Sequence, residues 1–256
     1  MDPYAGIVDE YEWEHEAFQE DVELYCNLLA SGPVLEIGSG TGRITQALAA
    51  AGFEVWGVDP SAAMIGRARM RLEGLPQAHL VEASVLDLAI DRQFAAAIFP
   101  LNTLWHLTEY ETQLRALQTV RRLLQERAVL LVDVSNPLTL ADRGANGEVR
   151  RRFRRQASGT VLTGFSSAFD DEARQVLTLH VWYDRLASNG ALQRSETVLD
   201  LRYLYRFELE GLLRLAGFET EHAYGSYDLE PYSGDSSNII VMARAASQEG
   251  TLLRSP

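Results

Sequence analysis

The sequence predicts an α/β fold, a doubly wound and mostly parallel sheet interrupted by an antiparallel β insertion, on three observations. Short apolar runs alternate with amphipathic helical patterns over the first half of the chain, and parallel strands need crossovers of that length. The stretch VLEIGSGTGRIT (34–45) passes from branched apolar residues through an acid into three glycines and then a helical pattern, which is how such a sheet opens. After Pro137 polar and apolar residues alternate, and SNG (188–190) supplies a hairpin-type turn, as antiparallel strands require.

The elements follow in order. VLEIG (34–38) reads as a buried strand, and RITQALAAAG (43–52) as a helix ended by Gly52. EVWGVD (54–59) is the next strand, ending at Asp59. PSAAMIGRARMRLEG (60–74) opens a helix with Pro and Ser and stops it at Gly74. AHLVEA (78–83), FAAAIF (94–99) and AVLLVDV (128–134) are three more short strands, with EYETQLRALQTVRRLL (109–124) an amphipathic helix before the last. Residues 147–206 form the antiparallel insertion. ELEGLLRLAGF (208–218) restores a helix capped by Gly217, and ETEHAYGSY (219–227) with NIIVMARA (238–245) closes as a strand pair, so that 1–146 and 207–246 make one α/β core and 247–256 a frayed tail.

Composition limits the function. The 256 residues, 46% hydrophobic, suit one large domain or a core carrying an insertion. A net charge of −13 repels nucleic-acid phosphates and anionic membranes, which predicts no nucleic-acid partner, no membrane association and small-molecule chemistry. Every basic residue is Arg, which removes a lysine Schiff base and a P-loop lysine. The single cysteine, Cys26, rules out internal disulfides and cysteine-rich zinc sites, and its helical pattern with Tyr25 and Leu29 reads as core. His15, His79, His180 and His222 have no metal-ligand spacing, so no metal is expected and they read as structural or solvent-facing. The acidic N-terminus lacks a secretory signal pattern and the longest apolar run, AVLLV, is far too short to span a bilayer, from which a cytoplasmic protein is expected.

In a doubly wound sheet a ligand sits beyond the carboxyl ends of the strands, where glycines after the first strand let the backbone approach it. Gly38, Gly40 and Gly42 fit that use, and Asp59, ending the second strand, is placed to accept both hydroxyls of a ribose. A dinucleotide site wants G-x-G-x-x-G around a pyrophosphate. Here the spacing is G-x-G-x-G, with Arg43 where the third dinucleotide glycine would fall. Glu36, two residues before the turn, disfavours a pyrophosphate and suits a cationic ligand.

VLEIGSGTGRI (34–44), VWGVDPSAAMI (55–65) and FPLNTLWHL (99–107) resemble motifs of class I S-adenosylmethionine-dependent methyltransferases, and LRYLYRFELEGLLRLAGFE (201–219) resembles their closing helix and strand. The resemblance implies a seven-stranded Rossmann-like sheet and S-adenosylmethionine as cofactor, with S-adenosylhomocysteine as product. It implies that Gly38 and Gly40 line the methionine part, that Asp59 holds the ribose and that Met64 packs on the adenine. Glu36 would order the loop or receive the cofactor's ammonium through water. Arg43 and Pro100 complete the implied contacts. Tyr4 and Tyr11 match the tyrosines of an N-terminal lid helix. Many relatives carry an Asp for the adenine amino group where this chain has Ser84, which leaves that contact to Val85 backbone or to Asp87. QERA (125–128) replaces the usual P-G-G turn before the fifth strand, far from the cofactor.

On the acceptor side, His106 is either a general base or a helix-start packing residue, and Asn102 either a loop-ordering amide or a substrate contact. RRFRR (151–155) is the one basic run, and pairing with DDE (170–172) is its plain reading; an anionic-substrate or partner surface is the other. Trp182, Tyr203 and Tyr205 are candidates to roof the site, and Tyr227 or Tyr232 to reach the acceptor. A β insertion at this point resembles those of glycine and amino-sugar N-methyltransferases, which implies a cover over the pocket or a homodimer contact and a small-molecule acceptor methylated on O or N. An NAD-linked oxidoreductase and a non-catalytic S-adenosylmethionine binder are the alternatives.

Overall fold

The computed structural model describes residues 2–30, 32–140, 143, 147–157 and 159–247. The expected tail lies, from residue 248 on, outside the described residues. Two short helices, α1 (Val8–His15) and α2 (Glu20–Leu28), precede the alternating part: β1 (Val34–Ile37), α3 (Arg43–Ala50), β2 (Val55–Asp59), α4 (Ala62–Arg71), β3 (Ala78–Glu82), β4 (Phe94–Phe99), α5 (Tyr110–Leu123) and β5 (Leu124–Ser135). Then come β6 (Arg150–Ala157), β7 (Thr160–Asp171), β8 (Val176–Leu186), β9 (Leu192–Arg202), α6 (Arg206–Leu215), β10 (Phe218–Tyr224) and β11 (Asn238–Ala245).

Seven strands share one sheet in the order β10-β11-β5-β4-β1-β2-β3. β1 pairs in parallel with both β2 and β4, and β11 runs antiparallel between β5 and β10. The chain winds outward from β1 through β2 to β3, then crosses to β4 and winds the other way. That reversal opens a crevice at the carboxyl ends of β1 and β4.

Successive strand residues point to opposite faces, and the core divides accordingly. Leu35, Ile37, Phe99, Leu130 and Val132 join the inner faces of α5, α6 and the insertion in one apolar cluster, while Val34, Ile98, Leu131 and Ile240 pack with α2 and α3 in the other. All four residues of β1 are buried, Glu36 among them. Cys26 packs, half-buried, against the second cluster.

Helix ends follow the local chemistry. Ser61 caps α4 by accepting a hydrogen bond from the Met64 amide (3.1 Å), and Gly52 and Gly217 take the left-handed turns that end α3 and α6. Within QERA (125–128), at the start of β5, Arg127 adopts φ +56°.

The insertion is a separate antiparallel sheet in the order β6-β7-β8-β9. The Ala187 amide donates to the Ala191 carbonyl (2.9 Å) to close the turn at Gly190. Leu162, Ala168, Val181 and Tyr183 point inward into the larger core cluster.

Candidate active site

The glycine turn lies at the crevice. Gly38 has φ +76°, and a Cβ there would stand 2.5 Å from the Thr103 side chain, so only glycine lets this backbone reach the wall formed after β4. At Gly42, with φ +79°, a Cβ would stand 3.1 Å from the Ala68 Cβ on α4, so glycine lets the start of α3 pack closely on α4. Asp59 is nearly buried. Its Oδ2 accepts from the Gly40 amide (2.9 Å) and its Oδ1 from the Ser61 amide (2.8 Å), which fixes the carboxylate at the rim beside the turn. Burial raises its pKa against the pull of those two amides.

Glu36 is 1% exposed on the floor of the turn, where its Oε2 accepts from the Thr45 hydroxyl (2.5 Å). Burial pushes its pKa up to about 8, opposed by Thr45 and Arg43. A carboxyl so placed holds its proton at neutral pH until a cation arrives. Arg43 gives both terminal nitrogens to the Asp21 carboxylate (2.8 and 2.5 Å) and one also to the Phe18 carbonyl (2.7 Å), which ties α2 to α3.

The turn, the rim of β2 and the loop after β4 enclose a cavity of about 500 Å³. Tyr11, Glu36, Gly38, Gly40, Arg43, Asp59, Met64, Ser84, Val85, Pro100 and His106 all line it. The Ser84 hydroxyl is already engaged, accepting from the Leu86 amide (3.2 Å), and Asp87 is exposed and off the wall. Asn102, Tyr203 and Tyr227 are not among the lining residues, so the acceptor contacts expected of them have no counterpart in the geometry. Asn102 spends its amide on Ser135, accepting from its N–H (2.7 Å) and donating to its hydroxyl (3.0 Å). Tyr203 is buried against Trp105 and Tyr205, under the Arg143 guanidinium. Tyr227 donates to Asp133 (2.9 Å).

The cavity has an aromatic and acidic cover from the N-terminus. Tyr11 stacks on His15 (4.2 Å between centroids) and meets Tyr4 edge-on (5.7 Å). The Tyr4 hydroxyl lies 3.1 Å from His106 Nε2. Burial lowers the His106 pKa to about 4 and raises that of Tyr4 well above its ordinary value, so both are neutral at physiological pH.

Helix α1 has no fully buried residue; Trp13 packs, half-buried, on the larger apolar cluster, and ion pairs fasten the rest. Arg67 and Arg71 of α4 grip Asp9 and Glu12. From the insertion, Arg152 pairs with Glu14 (2.7 Å), Arg185 with Glu10 (2.8 Å) and Arg155 with the Trp13 carbonyl and Glu16. The basic run 151–155 therefore docks on the lid and not on 170–172. A register shift between Arg151 and Phe153 bulges the strand at Arg152, and Asp170 is taken by Arg143 (2.9 Å).

Sequence reasoning missed the lid's polar face: Asp2, Glu12, His15 and Glu16 also line the cavity. The i, i+4 spacings Tyr11/His15 and Glu12/Glu16 were the available signal, because such pairs share a helix face.

The residues present fit a cationic sulfonium nucleoside: a glycine cradle that a Cβ would fill, a rim carboxylate suited to a ribose, and a buried carboxyl that makes no ion pair among the described residues. A seven-stranded sheet with that cradle at its switch point defines a class I S-adenosylmethionine-dependent methyltransferase. Residues 34–127 match the family model described as a methyltransferase domain. The chain is 26% identical over 212 residues to the cypemycin N-terminal methyltransferase of a Streptomyces species, covering 82% of this chain and 81% of that protein. The CcbJ methyltransferase from Streptomyces caelestis superimposes with a TM-score of 0.79 at 25% identity, over 96% of this chain and 97% of that one. The S-adenosylmethionine-bound structure of CalS10, an amino pentose methyltransferase from Micromonospora echinaspora, shares the fold at 19% identity, with a TM-score of 0.69 over 91% and 92% of the two chains. The protein is an S-adenosylmethionine-dependent methyltransferase, and the oxidoreductase and non-catalytic readings fall.

Proposed function

We propose that the protein methylates an amine nitrogen of a small molecule. The observation that carries this reading is His106 on the cavity wall, its Nε2 engaged by the Tyr4 hydroxyl (3.1 Å). Among the described residues no carboxylate pairs with His106 to raise its basicity, so it is a poor acceptor for the proton of an aliphatic hydroxyl, whereas the free-base form of an amine brings its own lone pair and needs only to be aligned and kept dry. His106 and Tyr4 then act as neutral hydrogen-bond partners that orient the acceptor, and Asp2, a lining carboxylate with no ion pair among the described residues, favours the charge that develops on nitrogen. When bound, the cofactor supplies a methyl group on a sulfonium that leaves as a neutral thioether. Gly38, Gly40 and Asp59 would hold it, with Met64, Ser84 and Val85 at the adenine end and the Glu36 carboxyl beneath the turn. The cypemycin enzyme's description as an N-terminal methyltransferase supports nitrogen as the acceptor atom.

A panel of primary and secondary amines, alcohols and phenols, assayed by S-adenosylhomocysteine release and product mass, tests the reading. Turnover confined to amines is expected. Turnover confined to hydroxyl acceptors would overturn it. No described residue of the insertion lines the cavity; it backs the N-terminal cover instead, and the same reading has it pair two copies through its outer face, where Phe165 stacks on Trp182 (5.6 Å) and Val198 is exposed. Light scattering of wild type and Val198→Asp tests the pairing, a monomeric wild type counting against it.

A further inference from the structure

The loop after β4 has an unusual backbone. Leu101 and Asn102 are consecutive non-glycine residues in the left-handed region, at φ +45° and +63°. Side chains resist that conformation, so it persists only where the surroundings over-determine it. Leu101 lines the cavity, Thr103 fills the space above Gly38, and the 3-10 turn that follows (Thr103–His106) delivers His106 to Tyr4.

Behind it sits Asp133 of β5, 1% exposed and outside the cavity lining. Three donors converge on its Oδ2: the hydroxyls of Tyr25 (3.1 Å) and Tyr227 (2.9 Å) and the Leu101 amide (3.4 Å). The Asn238 amide donates to Oδ1 (3.4 Å), and the Asp133 carbonyl accepts from the Asn102 amide (3.0 Å). The carboxylate thus gathers α2, β11 and the loop before β11 around one strained turn. The structure assigns Asp133 as a positioning residue that holds the Leu101–Asn102 turn, and through it Thr103 and His106, against the glycine loop. Its surroundings agree: burial raises its pKa to about 6, yet four donors point at it, an arrangement that suits an ionised acceptor at neutral pH. The assignment holds whichever atom accepts the methyl group.

Asp133→Asn keeps the volume but turns an N–H₂ toward at least one of the four donors. Loss of S-adenosylhomocysteine affinity by roughly tenfold is expected from calorimetry, the size of effect seen when a buried polar group loses its partner. Hydrogen exchange should quicken at residues 101–106 while β4 and β5 stay protected. Glycine adopts the left-handed turn without side-chain strain, so Leu101→Gly placed on Asp133→Asn should restore slow exchange at 102–106, a rescue that a merely structural role would not produce. Unchanged exchange and affinity in Asp133→Asn would overturn the assignment, as would protection lost evenly across the sheet or no rescue by Leu101→Gly. Should Asp133→Asn not fold, Tyr227→Phe removes one donor alone; faster exchange at 101–106 then supports the assignment, and unchanged exchange sinks it.

Discussion

At the scale of single residues, the site rests on two carboxyl groups whose environments differ. Asp59 is clamped by two backbone amides and is the residue proposed to hold the ribose, so Asp59→Ala should weaken S-adenosylhomocysteine binding by roughly 10–100-fold and lower the melting temperature, because the Gly40 and Ser61 amides lose their acceptor. Calorimetry and thermal melts read both. Glu36 has a folded-state pKa raised to about 8 by burial, above its unfolded value. The unfolded chain therefore releases this proton first, and the group costs stability progressively as pH rises from about 4.5 to about 8, with the full cost above that. Glu36→Gln should then raise the melting temperature of the ligand-free protein at pH 8.5 and change it little at pH 4.5, while weakening cofactor binding. A variant no more stable than wild type at pH 8.5 would contradict the buried, proton-holding carboxyl.

At the scale of elements, the informative piece is α1, a helix that contributes Tyr11, Glu12 and His15 to the cavity yet has no fully buried residue of its own. Arginines from α4, β6 and β8 fasten it to the core and to the insertion together. Partly exposed ion pairs are individually weak and screened by salt, so the clasp should loosen as ionic strength rises. S-adenosylhomocysteine dissociation, followed by stopped-flow, is expected to quicken several-fold between 50 mM and 500 mM salt on screening grounds. Arg152→Ala combined with Arg155→Ala should reproduce the fast release at low salt. Release rates indifferent to both would mean that packing of Ile7 and the tyrosines alone secures the lid.

At the scale of the whole molecule, the insertion is a separate sheet by hydrogen bonding but not by packing. Leu162, Ala168, Val181 and Tyr183 share one apolar cluster with β4, β5, α5 and α6. A unit that cannot bury its inner face alone should not melt alone. Calorimetry is expected to show one unfolding transition, and deletion of 147–206 should leave the core unable to fold. Two resolved transitions would show the insertion to be an autonomous domain.

Period and punctuation made most of the fold legible in the chain: the alternation of strands and helices, the stops at Gly52 and Gly217, and the antiparallel texture after Pro137 are local signals that the structure retains. That Glu36, Gly38, Gly40 and Asp59 would share one cavity wall was legible for the same reason, since they flank two consecutive strand ends. The acceptor half was not. Whether Tyr227 faces a ligand or a buried Asp133, whether the arginines at 151–155 meet 170–172 or the lid, and where His15 ends up depend on which distant strands and helices pack together. The sequence by itself determined the sheet, the glycine cradle and the sulfonium chemistry they suit; only the tertiary structure decided which polar side chains reach the cavity, because a side chain's partners across the core are set by long-range packing that no local pattern encodes.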